Sequence, residues 1–199
     1  MIKGDTYTSG GDDGNSTITD LTDDPDLDPM WTDCEALIEL AELVKINADI
    51  VADSTLPKAS LGVPGAPVSV FIDGDYEIKG NFDGAGLLFV TGTLTIDGKS
   101  GWLGPIFVIG KGDFLRDGAG NGDITGGVIV ADVAGPDRIL FTDDDCNGED
   151  GTKGTDDDGI AGSSYVVNGA GNSTTSYCGT LFPLWQGLRP FDIVSFRQD

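Results

Sequence analysis

The hydrophobic positions between Val68 and Asp132 repeat every eighteen residues. Each copy carries a short apolar run in which a phenylalanine lies between two aliphatic residues. The three columns of this run are Val70, Leu88 and Ile106; Phe71, Phe89 and Phe107; and Ile72, Val90 and Val108. A fixed period is typical of stacked coils that bury a continuous core. The repeat therefore predicts a mainly β fold, a small parallel β-helix or solenoid.

Residues in a strand alternate between two faces, so the phenylalanine column and the aliphatic columns point in opposite directions. Coils stacked about 4.8 Å apart place like residues above like. We expect the aliphatic columns to form the interior and the phenylalanines to line the outer face of the same sheet. An ordinary antiparallel sheet with coincidental spacing is the alternative.

Further columns extend this register into the corners between strands. The predicted members are Ile78, Ile96 and Phe114; Gly74, Gly92 and Gly110; and Gly86, Gly104 and Gly122. Glycine suits corners where φ is positive or a neighbouring coil approaches closely. A fourth copy is expected at Val128–Asp132, after an insertion of four residues at the tip Asp117–Asn121.

The stretch Thr32–Ala52 has apolar residues at helical spacing and predicts one amphipathic helix. Its apolar positions are Leu37, Leu40, Ala41, Val44, Ala48 and Val51. Thr32 and Glu35 fit a capping box at its start. We expect this helix to pack over the phenylalanine column, because three stacked phenylalanines left bare would form a large apolar patch.

The rest of the sequence divides into an arm and one domain. Residues 1–30 are rich in Gly and Asp and predict an irregular acidic arm, whereas residues 31–199 form a single β-helix-like domain. The predicted parts of the domain are the helix 32–52, the coils 68–132, an acidic insertion 135–162 and a closing segment 163–199. Short strands are predicted at Ile139–Phe141, Tyr165–Asn168 and Asp192–Phe196.

Charge narrows the classes of partner. The chain of 199 residues has 34 acidic and 11 basic residues and a formal net charge of −23. Such a charge repels nucleic acid and anionic membranes, so we expect no nucleic-acid partner and no membrane contact by this segment.

The chain contains no run of about 18 apolar residues and no signal peptide. We therefore expect any export segment to lie outside this chain.

Three cysteines, Cys34, Cys146 and Cys178, permit one disulfide and one free thiol. There is no CxxC pair and no histidine, which argues against a zinc site. In an oxidising compartment we expect Cys34 to pair with Cys178. Three unpaired thiols are the alternative.

The acidic insertion contains a candidate calcium site. Oxygen side chains stand at alternate positions before Gly148, as in the first half of a calcium loop. Because calcium takes 6–8 oxygen ligands, later residues must complete the shell. The predicted ligands are Asp143, Asp145, Asn147, Glu149 and Asp150.

The second half of the loop departs from the EF-hand pattern. Gly154 occupies the twelfth position, where a bidentate glutamate is usual. Asp156 or Asp158 can supply the missing oxygens. The alternative is a solvated acidic loop that binds no ion tightly.

The sequence offers little catalytic chemistry. It has no histidine, nucleophile elbow, P-loop or HExxH motif. The glycine-rich Gly118–Gly122 lacks the lysine and hydroxyl of a phosphate cradle and fits a coil corner instead. We expect a non-enzymatic protein; a carbohydrate-active β-helix enzyme, using a carboxylate pair, is one alternative.

Several runs resemble PilX-type pilus-assembly proteins. Gly86–Ile96 is similar to their G-x-L-x-V-x-G-x-L-x-I run, and Gly104–Gly110 to the G-x-I-x-V-x-G run that follows. Asn121–Ala131 resembles their G-N-G-x-I-x-G-x-V-x-V-A element, and Ile193–Arg197 resembles their closing V-L-S-W-R.

The resemblance runs from Trp31 to the C-terminus and implies a minor-pilin-like, exported domain on the cell surface. Its implied partners are other pilus or appendage subunits, and it supplies no catalytic residues. The chain lacks the family's hydrophobic N-terminal helix, and its acidic arm and Asp143–Asp158 loop do not map to a role in that family. A bactofilin-like cytoskeletal β-helix, self-assembling in the cytoplasm, is the other alternative.

Overall fold

A computed structural model describes residues 7–9, 28–56, 60–117, 122–168 and 175–177. Within these residues the fold is mainly β, with one α-helix packed outside two sheets. The helix is α1 (Cys34–Asn47), preceded by a 3₁₀ turn at Pro29–Thr32. The strands are β1 (Tyr7–Ser9), β2 (Ile50–Asp53), β3 (Val68–Asp73), β4 (Tyr76–Lys79), β5 (Phe82–Val90), β6 (Thr93–Asp97), β7 (Ser100–Gly110), β8 (Asp113–Asp117), β9 (Ile124–Asp132), β10 (Ser164–Val167) and β11 (Thr175–Tyr177).

The chain winds between two parallel sheets, which confirms the predicted β-solenoid. One sheet has the order β11-β9-β7-β5-β3-β2, and the other has the order β1-β10-β8-β6-β4. From β3 onward, successive strands alternate between the sheets, so each pair of strands makes one coil. Every pair of neighbouring strands is parallel.

The predicted register of the first sheet is also confirmed. Phe71 pairs with Phe89 and Phe89 with Phe107. The column beside them, formed by Ile72, Val90 and Val108, belongs to the interior cluster between the sheets. The phenylalanines belong to a second cluster on the outer face. Both columns are fully buried, so each of the two faces of this sheet carries its own core.

The second sheet departs from the eighteen-residue period. Leu94 pairs with Phe114, and Ile96 pairs with Arg116, so the predicted alignment of Ile96 with Phe114 is wrong. Val108 still pairs with Val90, so the two additional residues enter between Val108 and Phe114, where β7 runs two residues further than β5. The corner that follows is Lys111–Gly112, and Gly112 has a φ of +67°, which suits a tight turn.

One glycine column is displaced for a similar reason. Gly104 pairs with Gly126, not with the predicted Gly122, because the four-residue insertion comes before β9. Gly86, Gly104 and Gly126 have φ values of +129°, +133° and +145°. A Cβ on Gly104 would lie 2.0 Å from the carbonyl oxygen of Gly86, so the stack tolerates no side chain there.

The helix covers the phenylalanine column, as predicted. Its buried residues Leu37, Leu40, Ala41 and Val44 join the outer cluster with the three phenylalanines. Phe141, from the acidic insertion, extends this cover because its ring stacks on Phe71 at 6.4 Å. Both α1 and the insertion therefore cover the outer face of the sheet.

The predicted bounds of the helix were too long at both ends. Thr32 lies in the 3₁₀ turn, and Asp33 caps the helix by accepting a hydrogen bond from the Ala36 amide at 3.2 Å. At the other end, Ala48 has an extended backbone, and residues 50–53 form β2 on the edge of the sheet. The β-branched pair Ile50–Val51 gains strand pairing there, which overrides its helical periodicity.

The three short strands predicted after the coils have different outcomes. Residues 139–141 follow a bent path and form no strand, and Phe141 has a φ of +73°. That conformation turns the chain so that the Phe141 ring packs over the sheet. The strand predicted at Tyr165–Asn168 is confirmed as β10, and Asp192–Phe196 lies outside the described residues.

Candidate functional site

The acidic insertion is fixed to the solenoid and to α1. Its Cys146 forms a disulfide with Cys34, the first residue of the helix. The Cys146 amide donates to the Val133 carbonyl at 3.0 Å, just after β9 ends. The predicted pairing of Cys34 with Cys178 is therefore wrong, because the insertion folds back onto the outer face beside the helix. Cys178 lies outside the described residues.

Two of the predicted calcium ligands are held at the base of this insertion. One carboxylate oxygen of Asp145, Oδ2, accepts hydrogen bonds from the amides of Phe141 at 2.8 Å and Thr142 at 3.2 Å. The other oxygen, Oδ1, is buried and has no partner among the described residues. Asn147 is buried, and its side-chain amide donates to the Asp143 carbonyl at 3.3 Å. The segment 143–147 thus closes on itself as a compact turn.

The other three predicted ligands lie on the surface. The side chains of Asp143, Glu149 and Asp150 are exposed. The Glu149 and Asp150 amides donate to Asp157 Oδ2 at 2.9 and 3.2 Å. Among the described residues, no three His, Cys, Asp or Glu side chains form a group that could hold a metal ion. Asp145 and Asn147 both line one cavity between α1 and the insertion, whereas Asp143, Glu149 and Asp150 are not among its lining residues.

A cavity of about 520 Å³ lies between α1 and the insertion. The disulfide, Ile38 and Phe141 form part of its wall. Its acidic lining residues are Asp33, Glu35, Glu42, Asp145 and Asp158. Burial raises the pKa of Asp145, and the nearby charges of Asp144 and Asp137 raise it further, against the two backbone hydrogen bonds that lower it.

Sequence reasoning missed the helix carboxylates in this cavity. Glu35 and Glu42 are seven residues apart, two turns of helix, and so share one face of α1. That spacing alone could have indicated a shared acidic face. The sequence does not show that Cys34 pairs with Cys146, and this pairing determines that the face lies against the insertion.

A second cluster of charges lies where β9 ends. Asp132 is only 4% exposed and accepts a hydrogen bond from Arg138 at 3.3 Å. Arg138 also donates to Asp113 at 3.0 Å and to the Lys111 carbonyl at 3.0 Å. Burial raises the pKa of Asp132 to about 6, although the charge of Arg138 opposes this shift. This arginine holds the start of the insertion against the corner between β7 and β8.

Comparison with known proteins gives no relative, since no protein-family model, curated protein or solved structure matches this chain. Among the described residues, no helix is both long enough and apolar enough to cross a membrane. The functional interpretation therefore depends on the chain's own residues.

The raised pKa of Asp132 predicts a pH-dependent contribution to stability. The folded protein binds this proton more tightly than the unfolded chain, whose carboxyl has a pKa near 3.8. The contribution is therefore fully present below about pH 3.8 and is lost as pH rises to about 6. Over this range the free energy of unfolding of the wild type should fall by at most about 3 kcal/mol because of this group. We expect Asp132→Asn to remove that pH-dependent fall.

Urea denaturation of the wild type and Asp132→Asn at intervals from pH 4 to pH 7 measures this effect. The difference between their free energies of unfolding should change steadily across the range. A difference that stays constant with pH would show that Asp132 does not titrate in the folded protein as described.

Proposed function

We propose that this chain is an exported, non-enzymatic structural component of a type IV pilus-like or other cell-surface appendage, similar to a minor pilin. The observation that carries the proposal is the disulfide between Cys34 and Cys146. Disulfides persist in oxidising compartments and are rare in the cytosol. The disulfide thus favours the exterior over the cytoplasm, where a bactofilin-like filament would lie.

The position of the disulfide supports a mechanical role. It joins residues 112 positions apart and ties together the two elements that cover the outer phenylalanines. A cross-link that closes a loop of roughly 100 residues stabilises the folded state by about 4.7 kcal/mol, because it lowers the chain entropy of the unfolded state. A rigid, cross-linked solenoid suits a subunit exposed to force and protease outside the cell.

The assignment to a pilus rests on the sequence resemblance, and the fold is compatible with it. A helix followed by β repeats is the order of elements that the resemblance implies, and α1 followed by β3 to β9 has that order. In this proposal the partners are other appendage subunits. The net charge of −23 keeps such a domain soluble and away from anionic surfaces.

We also propose that calcium stabilises the insertion, with Asp145 and Asn147 among its ligands. The buried, partnerless Oδ1 of Asp145 supports this, since a cation would compensate its desolvation. Neighbouring carboxylates of the cavity, such as Glu35 and Asp158, are candidates to complete the shell in place of Glu149 and Asp150. Because three carboxylates do not converge in the described residues, we expect weak affinity, in the range of about 10⁻⁴–10⁻³ M typical of extracellular modules.

Trapping of thiols in intact source cells tests the exported location. A membrane-permeant alkylating agent, added before lysis, should leave Cys34 and Cys146 unmodified and linked to each other in peptide maps. Recovery of both cysteines in alkylated form would contradict export. Cys34→Ser should lower the free energy of unfolding by about 2–5 kcal/mol, and Cys146→Ser should lower it by a similar amount because either change removes the same disulfide.

Thermal unfolding tests the calcium proposal. At 1 mM calcium the expected stabilisation is about 0.4–1.4 kcal/mol for the stated affinity range. Asp145→Asn should abolish it, whereas Asp75→Asn, a matched change at an exposed carboxylate outside the cavity, should preserve it. If chelator and calcium give the same melting temperature for the wild type, the insertion is a solvated acidic loop.

A further inference from the structure

We propose that β2 is a docking edge for an extended basic segment of a partner protein, in which two basic residues flank an apolar one at alternate positions. The segment would add to the sheet as one more strand. Its basic side chains would lie beside Asp49 and Asp53, and its apolar side chain beside Val51. The proposed function leaves the chemistry of the partner open, and this docking can be tested on the purified protein whether or not the chain belongs to an appendage.

The strand β2 has an open backbone edge. Among the described residues it pairs only with β3, from Ile50 with Val70 to Asp53 with Asp73. The one other backbone hydrogen bond to it within those residues comes from the Leu56 amide, which donates to the Asp53 carbonyl at 3.1 Å. In a parallel pair, alternate residues direct their N–H and C=O groups away from the partner strand. The outer side of β2 therefore offers backbone donors and acceptors to an added strand.

The side chains along this edge follow an acidic–apolar–acidic pattern. Asp49, Val51 and Asp53 are exposed, whereas Ile50 and Ala52, which alternate with them, are partly buried. Residues at alternate positions of a strand lie on the same face. An added strand would therefore meet two carboxylates with an aliphatic side chain between them.

The apolar member of this pattern extends the outer phenylalanine column beyond its cover. Val51 pairs with Phe71 and so continues the column by one strand. The helix does not shield it fully, because α1 ends at Asn47 and Val51 is 53% exposed. An apolar side chain on the added strand would bury part of this exposed surface.

The hydrogen-bond partners of the two carboxylates are neutral groups. Asp49 accepts from the amide and the hydroxyl of Ser69 at 2.8 and 2.9 Å, and Asp53 accepts from the Thr55 amide at 2.8 Å. Within the described parts of the chain, no ion pair includes Asp49 or Asp53. The hydrogen bonds from the Thr55 hydroxyl and amide lower the pKa of Asp53, so this carboxylate keeps its negative charge at neutral pH.

These charges favour a cationic strand as the occupant. Asp49 and Asp53 are four positions apart, roughly 13 Å along a strand, with Val51 midway. A segment with the same spacing of basic residues places each of them opposite a carboxylate, where opposite charges stabilise strand pairing. The pattern is the same in both directions, so the added strand can run parallel or antiparallel. The net charge of −23 repels an acidic segment, including a second copy of this edge, and attracts a basic one.

The edge of the other sheet provides an internal comparison. Its strand β4 carries Glu77 and Lys79, which form an ion pair at 2.6 Å. Charged residues of this kind, lysine above all, protect an edge against pairing. A basic segment would meet Lys79 there, so we expect it to select β2 over β4.

Titration of the isotope-labelled protein with a short peptide, followed by nuclear magnetic resonance, tests the docking. The probe is the acetylated and amidated peptide Lys-Thr-Val-Thr-Lys. At low salt it should shift the amide resonances of β2 and slow their hydrogen exchange, while those of β4 stay unchanged. Binding should weaken as salt increases, because salt screens exposed charges. Equal shifts in β2 and β4 would contradict a specific docking edge.

Two control peptides separate strand pairing from simple attraction between charges. Glutamate in place of both lysines should abolish binding. Proline in place of both threonines keeps the charge and the valine but removes two backbone donors and disfavours a strand, so this peptide should bind several-fold more weakly. Binding of the proline peptide as tight as that of the probe would exclude strand pairing. No binding of the probe would show that the two carboxylates protect the edge instead.

A pair of substitutions tests the protein side of the contact. Asp49→Asn together with Asp53→Asn removes both charges but retains an oxygen for the hydrogen bonds that each side chain accepts. The double variant should bind the probe roughly two- to thirty-fold more weakly, the range for two exposed ion pairs. Asp83→Asn together with Asp156→Asn removes two exposed charges in β5 and in the insertion and should leave binding unchanged. Equal affinity of the wild type and the Asp49/Asp53 double variant would overturn the proposal.

Discussion

The phenylalanine column on the outside of one sheet sets the main constraint on this fold. A coil that repeats an aliphatic–phenylalanine–aliphatic run necessarily builds two apolar surfaces, one inside the solenoid and one outside. The inner surface is closed by the opposite sheet, but the outer one needs a separate cover. The helix α1 supplies it, Phe141 extends it, and the Cys34–Cys146 disulfide ties the two together.

Two basic side chains connect the acidic insertion to the rest of the fold. Lys45 on α1 pairs with Asp73 and lies 4.6 Å from the Phe141 ring centroid and 5.4 Å from that of Phe71. One of the few cations of the chain thus binds the helix, the insertion and the sheet at once. At the other end of the insertion, Arg138 performs a similar function for Asp132 and Asp113.

The sequence was most informative where one short pattern repeats. The alignment of Phe71, Phe89 and Phe107 in one column, and the helix that covers them, could both be predicted because like residues must align and bare phenylalanines must be buried. The Lys111–Gly112 corner, the strand β2 and the partner of Cys34 could not. Each depends on which distant segment the chain meets, and local periodicity carries no such information. For the candidate site, the sequence located Asp145 and Asn147 but missed Glu35 and Glu42 for the same reason.

Native-state hydrogen exchange on α1 tests most directly whether the helix is the fixed cover of the phenylalanine column. In the oxidised protein, the amides of Leu40, Ala41 and Val44 should exchange about as slowly as those of the central strands β5 and β7. After reduction of the disulfide they should exchange faster, while the central strands remain protected. Fast exchange along the whole of α1 in the oxidised protein would contradict a docked helix and leave the column an exposed assembly surface.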